Sequence, residues 1–135
     1  MIRLYDFETG SITSTLEGHA LPIRALEYSP DSKFLVTGSD DKHIKLYNIE
    51  TTELVATLSG HGSWITGLSF SPDNQHFASC SCDNTVKVWN IETRKCVHTF
   101  HKHKGSVNSV KFSSDGKNLV SVSSDRQIVV YSINV

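Results

Sequence analysis

Serine, histidine and aspartate, the residue types of a hydrolytic triad, recur in this chain at a fixed interval. His61, Ser81 and Asp83 form one such set, and shifts of 42 residues in either direction give a histidine, a serine and an aspartate again. In a hydrolase these types serve as base, nucleophile and orienting acid. A catalytic triad is needed only once, so the repetition favours a structural hydrogen-bond network. A His/Asp-dependent hydrolase is the less favoured alternative, and we predict that the chain is not an enzyme.

Another group of residues has the composition of a metal site. Its members are Cys96, His98, His101 and His103. His103 belongs to the repeating series, however, and Cys80 and Cys82 form a C-x-C with no second pair at zinc spacing. No glycine-rich loop suited to phosphate is present either, because the eight glycines are scattered. We therefore predict no metal and no cofactor.

The charge pattern excludes several classes of partner. The 13 basic and 14 acidic side chains are interspersed and give a net charge of -1. The short basic run at residues 101–104 is typical of a solvated loop, so we predict no direct nucleic-acid binding and no membrane binding. An odd count of three cysteines without a disulfide framework indicates a reducing compartment, and we predict nucleus and cytoplasm.

The elements that must position these residues are short strands. Within each 42-residue unit, four runs rich in β-branched and aromatic residues are separated by turn signals such as Ser71-Pro72-Asp73. In the middle unit the predicted strands are 65–70, 77–81, 86–90 and 96–100. No segment carries an apolar stripe at helical spacing. The sequence therefore predicts an all-β fold of repeated four-stranded antiparallel sheets that pack against one another.

The repeated residues carry a family resemblance. The pattern is Gly60-His61, then Ser71-Pro72-Asp73, then a Ser-x-Asp, then Trp89-Asn90, and it recurs along the chain. It resembles the WD-repeat β-propeller family, whose units are about 40 residues long. The resemblance implies that a histidine, a serine, an aspartate and a tryptophan of each unit form a hydrogen-bonded tetrad.

Carried over residue by residue, the resemblance gives one complete tetrad and two variants of it. The complete set is His61, Ser81, Asp83 and Trp89. The variants are His19, Ser39, Asp41 and Tyr47, and His103, Ser123, Asp125 and Tyr131. A phenol hydroxyl points along a different axis from an indole N–H, so the last link of the two variants is not predicted.

The repeat also implies a division of the chain. Residues 1–17 are predicted to be the last two strands of a preceding blade, residues 18–59 and 60–101 two complete repeats, and residues 102–135 a repeat without its outer strand. About three blades result, whereas closed propellers have roughly four to eight. We expect the chain to be a fragment, part of a seven-bladed ring, and to self-associate through its bare sheet faces.

The function that the resemblance implies is protein binding. Partners of the family touch loop-end positions of each blade, and here these are Pro22, Arg24, Asp40, Trp64, Thr66, Cys82, Ser106, Asn108 and Ser124. We expect a non-catalytic scaffold that binds protein subunits or peptides of a larger complex. The sequence is similar to that of one family member whose complexes act in mRNA decay and transcription elongation. An adaptor in signalling or in a ubiquitin ligase is the alternative.

Overall fold

The computed structural model describes residues 1–133 and shows thirteen β-strands in four antiparallel sheets. The first sheet has two strands, β1 (Ile2–Tyr5) and β2 (Ile12–Leu16). The second has four, β3 (Ile23–Tyr28), β4 (Phe34–Ser39), β5 (Ile44–Asn48) and β6 (Glu53–Leu58). The third has β7 (Ile65–Phe70), β8 (His76–Ser81), β9 (Val86–Asn90) and β10 (Cys96–Phe100). The fourth has β11 (Val107–Phe112), β12 (Asn118–Ser123) and β13 (Ile128–Ser132).

The predicted all-β fold of antiparallel blades is confirmed. Each sheet is an up-and-down meander in which every strand pairs with its neighbour in sequence. Residues 134 and 135, the last two of the predicted final unit, lie outside the described residues. None of the described residues forms a helix that is long and apolar enough to span a bilayer.

The core lies between successive sheets. Ile65 of β7 reaches the preceding sheet at Gly38, where a Cβ atom would lie only 2.4 Å from the Ile65 Cγ2 atom. Within the third sheet, Phe77 of β8 stacks on Trp89 of β9 with ring centroids 6.3 Å apart. Sheets pack this closely only where one face offers a small residue. Gly38 and the fully buried Cys80 occupy that position in the two four-stranded sheets.

Turns with Ser-Pro-Asp or Ser-Ser-Asp sequences join the first and second strands of the second, third and fourth sheets. In the first of them Asp31 Oδ1 accepts hydrogen bonds from Ser29 Oγ and from the Lys33 amide. The next turn places Asn74 in the left-handed region with φ 59°, and its Oδ1 accepts a bond from the Asp31 amide of the neighbouring sheet. These turns therefore stabilise one end of the three larger sheets, and the bond from Asp31 to Asn74 links the second sheet to the third.

All four sheets contain β-bulges at repeated positions. On the inner strands the register shifts leave Arg24, Thr66 and Asn108 without a directly paired residue. On the outer strands the unpaired residues are Thr13, Val55 and Val97. A bulge turns its side chain away from the regular alternation and bends the strand. The inner bulges lie where β3, β7 and β11 begin, next to the loops that carry the histidines.

Two sheet faces are left open among the described residues. Leu26 and Tyr28 of β3 are 56% and 46% exposed, whereas the equivalent Leu68 and Phe70 of β7 are each 7% exposed. On the last sheet, Ile128 and Val130 of β13 are also largely exposed. Positions that are buried between sheets elsewhere in the chain are therefore bare at its two outer faces.

Candidate interaction surface and its hydrogen-bonded support

A chain of side-chain hydrogen bonds crosses the third sheet. His61 Nδ1 lies 2.9 Å from Asp83 Oδ2, and His61 Nε2 lies 2.6 Å from Ser79 Oγ. The indole Nε1–H of Trp89 donates to the same Ser79 Oγ over 2.9 Å. With that donor in place, the serine hydroxyl hydrogen is left to donate to His61 Nε2, and Nδ1 donates to the carboxylate. The loop before β7, strand β8, the following turn and strand β9 are thereby joined.

The serine of this network is Ser79, and the prediction of Ser81 was wrong. Trp89 is paired in register with Phe77, so Ser79 is its diagonal neighbour while Ser81 lies a further two residues along the strand. Ser81 Oγ instead donates to the Ser63 carbonyl oxygen at 3.2 Å and accepts from the Asp83 amide at 3.1 Å. It fastens the loop to the turn beside the network.

The same correction applies to the neighbouring sheets. There the hydroxyl partner of the histidine is Thr37 rather than Ser39, and Ser121 rather than Ser123. Ser39 Oγ and Ser123 Oγ bond to loop carbonyl oxygens, as Ser81 does. A second hydroxyl residue that repeats every 42 positions, two residues before the first, is the sequence signal that would have identified the set.

The two tyrosine variants differ from each other. In the second sheet His19 Nδ1 lies 2.8 Å from Asp41 Oδ2, but the Tyr47 hydroxyl donates to the Glu17 carbonyl oxygen at 3.4 Å. In the fourth sheet His103 Nδ1 lies 2.9 Å from Asp125 Oδ2, in the same arrangement. There the Tyr131 hydroxyl lies 3.0 Å from Ser121 Oγ, a contact that the sequence did not predict.

These networks hold up one end of the sheets, which we call the histidine end. It consists of the loops at residues 17–22, 59–64 and 101–106 and the turns at residues 40–42, 82–84 and 124–126. Thr66 Oγ1 donates to the Val107 carbonyl oxygen, which ties the start of β7 to the start of β11. The Arg24 guanidinium lies 4.6 Å from the ring centroid of Trp64, which links β3 to the next loop. The loops of the three blades therefore form one connected surface at the histidine end.

Arg24 and Trp64 form the most prominent feature of the histidine end. The Arg24 guanidinium makes two hydrogen bonds to the carboxylate of Asp40, one of them from the NH2 group over 2.9 Å to Oδ2. The Asp40 side chain is buried, the Arg24 side chain is half exposed, and Trp64 is 47% exposed. A large aromatic ring thus remains accessible although its position is restrained.

The other predicted contact residues are placed at the same end with unequal accessibility. Pro22, Asn108 and Ser124 are exposed, and Asn108 Nδ2 donates to Ser124 Oγ over 3.4 Å. Ser106 is half-buried and its carbonyl oxygen accepts from the Ser124 amide. Cys82 is half-buried, and its amide donates to the Trp64 carbonyl oxygen. Thr66 differs from the rest because its hydroxyl is already engaged between sheets.

The family comparison agrees with this architecture. The family described as WD domain, G-beta repeat matches residues 10–48, 52–90 and 94–132, which is most of the chain. This chain belongs to the WD40-repeat family. WD40 propellers are typical of protein-interaction scaffolds.

Two similar proteins extend the comparison. The WD repeat-containing protein SL1-17 of Schistosoma mansoni is 47% identical over 45 residues, which cover 33% of this chain and 15% of that protein. The solved structure of U3-55K superposes with a TM-score of 0.85 at 24% identity, over 87% of this chain and 38% of that one. The second likeness shows the fold alone. This WD40 chain therefore spans well under half the length of either protein.

The electrostatics of the WD40 networks favour ionised aspartates. Burial alone would raise the pKa of Asp83, but hydrogen bonds from His61, Thr85 and the Gly62 amide favour the carboxylate and hold its pKa well below the usual range. Burial likewise opposes ionisation of Asp125, yet its hydrogen bonds hold the pKa at about 2. Burial lowers the pKa of His19, although Asp41 acts in the opposite direction.

The networks have the connectivity of a hydrolytic triad without its accessibility. Ser79, His61 and Asp83 follow one another at hydrogen-bond distance in the order of nucleophile, base and orienting acid. Ser79 is 0% exposed, however, and its oxygen already accepts the Trp89 indole N–H. A nucleophile must reach a substrate carbonyl, and this oxygen is enclosed. The network therefore holds strands and loops in place, and the Ser79 hydroxyl is not positioned to attack a substrate.

The histidine and cysteine residues near β10 are not brought together. Cys96 Sγ donates to the His98 carbonyl oxygen, His98 stacks on Phe100, and His103 is buried in its own network. Over residues 1–133, no three His, Cys, Asp or Glu side chains converge in a way that could hold a metal ion. The same residues contain three free cysteines, of which Cys80 is buried and has its pKa raised to about 11 by burial.

Proposed function

We propose that this WD40 chain is a non-catalytic scaffold that binds protein subunits or peptides of a larger complex at its histidine end. The observation that carries the proposal is the bulge at the start of each inner strand. Arg24, Thr66 and Asn108 leave the ladder at equivalent positions, beside the turn residues Asp40 and Ser124. Bulges concentrate beside functional sites because they redirect a side chain without disturbing the sheet.

Trp64 is the proposed anchor of this surface. Tryptophan and arginine dominate binding energy when a partner buries them. Trp64 offers exposed ring area, and Arg24 restrains the ring from one side through a cation–π contact. A ring that is held before binding loses little conformational entropy when a partner covers it.

The partner complexes are proposed from the resemblance of this sequence to one member of the family. Its loops and turns are similar to the C-terminal blades of WD repeat-containing protein 61. That likeness supports a place in the superkiller mRNA-decay complex, in the RNA polymerase II-associated factor complex of transcription elongation, or in both. It also supports residence in nucleus and cytoplasm. An adaptor role in a signalling complex or a ubiquitin ligase is the second possibility.

The test is partner capture by the unsubstituted chain and two variants. Tagged protein is incubated with cell extract, and captured proteins are quantified by mass spectrometry. Trp64→Ala should reduce capture of stoichiometric partners about tenfold or more, since hot-spot truncations cost about 2 kcal/mol or more. Leu54→Ala is the matched control, because Leu54 is 45% exposed but lies on the outer strand β6, away from the histidine end.

Both variants should retain the denaturation midpoint of the unsubstituted chain. Equal capture by all three proteins would remove Trp64 from the binding surface. If capture depends on Trp64 but the subunits of the two named complexes are absent from the captured proteins, the scaffold proposal stands and the adaptor role replaces the assignment to those complexes.

The division of the chain and its assembly are part of the proposal. We propose that residues 1–17 complete a preceding blade and that residues 18–59, 60–101 and 102–135 are three repeats of a seven-bladed ring. The open faces of β3 and β13 support self-association of the 135-residue chain. Apolar side chains there have the same positions as side chains that are buried between sheets elsewhere.

A further inference from the structure

The fourth sheet carries an excess of positive charge at the histidine end. Lys102 and Lys104 lie on the loop before β11, and Arg126 lies on the turn after β12. The equivalent residues of the third sheet are Gly60, Gly62 and Asn84, and those of the second are Gly18, Ala20 and Lys42. The fourth sheet thus has three cations at these positions, the second sheet has one and the third sheet has none. We call Lys102, Lys104 and Arg126 the basic corner.

Backbone contacts bring the loop and the turn of the basic corner together. The Lys104 amide donates to Asp125 Oδ2 over 3.0 Å, and the Ser123 hydroxyl donates to the Gly105 carbonyl oxygen over 3.1 Å. A Cβ atom on Gly105 would lie 3.2 Å from the Asp125 amide nitrogen, so the two segments are in van der Waals contact. Lys104 and Arg126, the residue after Asp125, therefore project from adjoining backbone.

The charge of the basic corner is not neutralised locally. Asp125 is the only acidic residue in either segment, and its oxygens accept from the His103 ring and from the backbone amides of Lys104 and Gln127. Within residues 1–133, none of the three basic side chains forms an ion pair with a carboxylate, and all three residues are exposed. By contrast, Arg24 at the same end is paired with Asp40.

We propose that the basic corner binds an acidic segment, rich in aspartate and glutamate, of a protein partner. The inference rests on the proposed scaffold function and specifies the chemistry of the partner. Ser106 and Ser124 adjoin the corner, and the Ser124 amide donates to the Ser106 carbonyl oxygen. Asn108 joins them because its Nδ2 donates to Ser124 Oγ. Their hydroxyl and amide groups add donors for the same carboxylates. Complementary charge of this kind selects a partner and speeds its association.

The surroundings of the basic corner favour a protein over a single-stranded nucleic acid. Binding of single strands combines a basic groove with aromatic side chains on which bases stack. Neither segment of the corner contains a phenylalanine, tyrosine or tryptophan. Trp64, the exposed aromatic residue in the loops of this end, lies in the loop before β7 of the third sheet and not in the basic corner.

The experiment measures binding of short fluorescein-labelled probes to the whole chain by fluorescence anisotropy. The probes are a peptide of alternating glutamate and serine, a length-matched peptide of alternating glutamine and serine, and an oligouridylate of matched length. The corner variant combines Lys102→Glu, Lys104→Glu and Arg126→Glu. The control variant combines Lys33→Glu, Lys95→Glu and Lys117→Glu, which reverse three exposed lysines in turns at the opposite end of the sheets.

The glutamate peptide should bind the unsubstituted chain more tightly than the other two probes. The corner variant should bind it at least about tenfold more weakly, whereas the control variant, with the same net charge, should stay within about threefold. Binding should also weaken with added salt, because the Debye length falls from about 10 Å at 0.1 M to about 3 Å at 1 M. Circular dichroism verifies that both variants fold.

Several outcomes would overturn the inference. Equal losses in the two variants would assign binding to overall charge, and tighter binding of oligouridylate would assign the corner to nucleic acid. No preference for the glutamate peptide over the glutamine peptide would remove the corner as an acidic-segment site. Because no cellular partner takes part in this assay, its failure leaves Trp64-dependent capture standing, and failure of that capture leaves the peptide result standing.

Discussion

Replacement of Ser79 by alanine tests which serine supports the third sheet. In Ser79→Ala the Trp89 indole N–H loses its acceptor and His61 Nε2 loses its donor, and all of these groups are buried. An unsatisfied buried polar group costs about 1 to 3 kcal/mol. Two such groups are left unpaired, so we expect the free energy of unfolding to fall by about 2 to 6 kcal/mol.

Ser81→Ala is the matched control for this change, because Ser81 is equally buried and lies on the same face of β8, two residues away. Its hydroxyl contacts the Ser63 carbonyl oxygen and the Asp83 amide at 3.2 Å and 3.1 Å. Ser63 and Asp83 are only half-buried, so water can replace part of the hydrogen bonding that they lose. We expect a cost of about 1 kcal/mol.

The assay is guanidinium denaturation followed by circular dichroism, in a double-mutant cycle with Trp89→Phe. Phenylalanine has no N–H, so Ser79→Ala should cost about 1 to 3 kcal/mol less in that background, whereas Ser81→Ala should add independently. Exchange of the Trp89 indole proton, measured by NMR, should accelerate in Ser79→Ala. Equal costs for the two serines, together with additivity of Ser79→Ala and Trp89→Phe, would refute the network as described.

Two further predictions concern acid and assembly. The pKa of Asp83 is lowered on folding, so its stabilising contribution is present above about pH 4 and is lost as the pH falls toward the folded value. Denaturation midpoints measured against pH should show that Asp83→Asn reduces this acid-dependent loss of stability more than Asp73→Asn does, because the Asp73 side chain is 36% exposed. Identical pH profiles for the two variants would contradict this expectation. The 135-residue chain should sediment as oligomers, and Ile128→Asp should shift it toward monomer; a single monomeric species without the substitution would argue against association through the sheet faces.

Much of the fold could be predicted because it depends on local signals that repeat. Turn residues such as Ser71-Pro72-Asp73 end each inner strand, and the predicted strand at 65–70 agrees with the observed β7. Gly38 stands where the second and third sheets approach closely, and its contact with Ile65 shows why only a small residue fits there. Repetition makes such signals reliable, because each unit provides an independent instance of the same local preference.

The details that could not be predicted depend on register between strands. Ser79 and Ser81 are equivalent in residue type and face, and only the pairing of Phe77 with Trp89 brings one of them within reach of the indole. Similarly, Tyr131 contacts Ser121 while Tyr47 bonds to a loop carbonyl oxygen, although both occupy the same repeat position. The bulges that displace Arg24 and its equivalents arise from strand pairing and leave no mark in residue type.

The bulges on the outer strands limit how other chains can attach to the rim. At Thr13, Val55 and Val97 the ladder to the neighbouring strand is interrupted, and the outer strand bends there. A strand of another chain that pairs with β6 or β10 would keep its hydrogen-bond register for only a few residues before the bulge interrupts it. The outer strands are consequently poor templates for cross-β growth. Binding partners are left with the loops and the open sheet faces as sites of attachment.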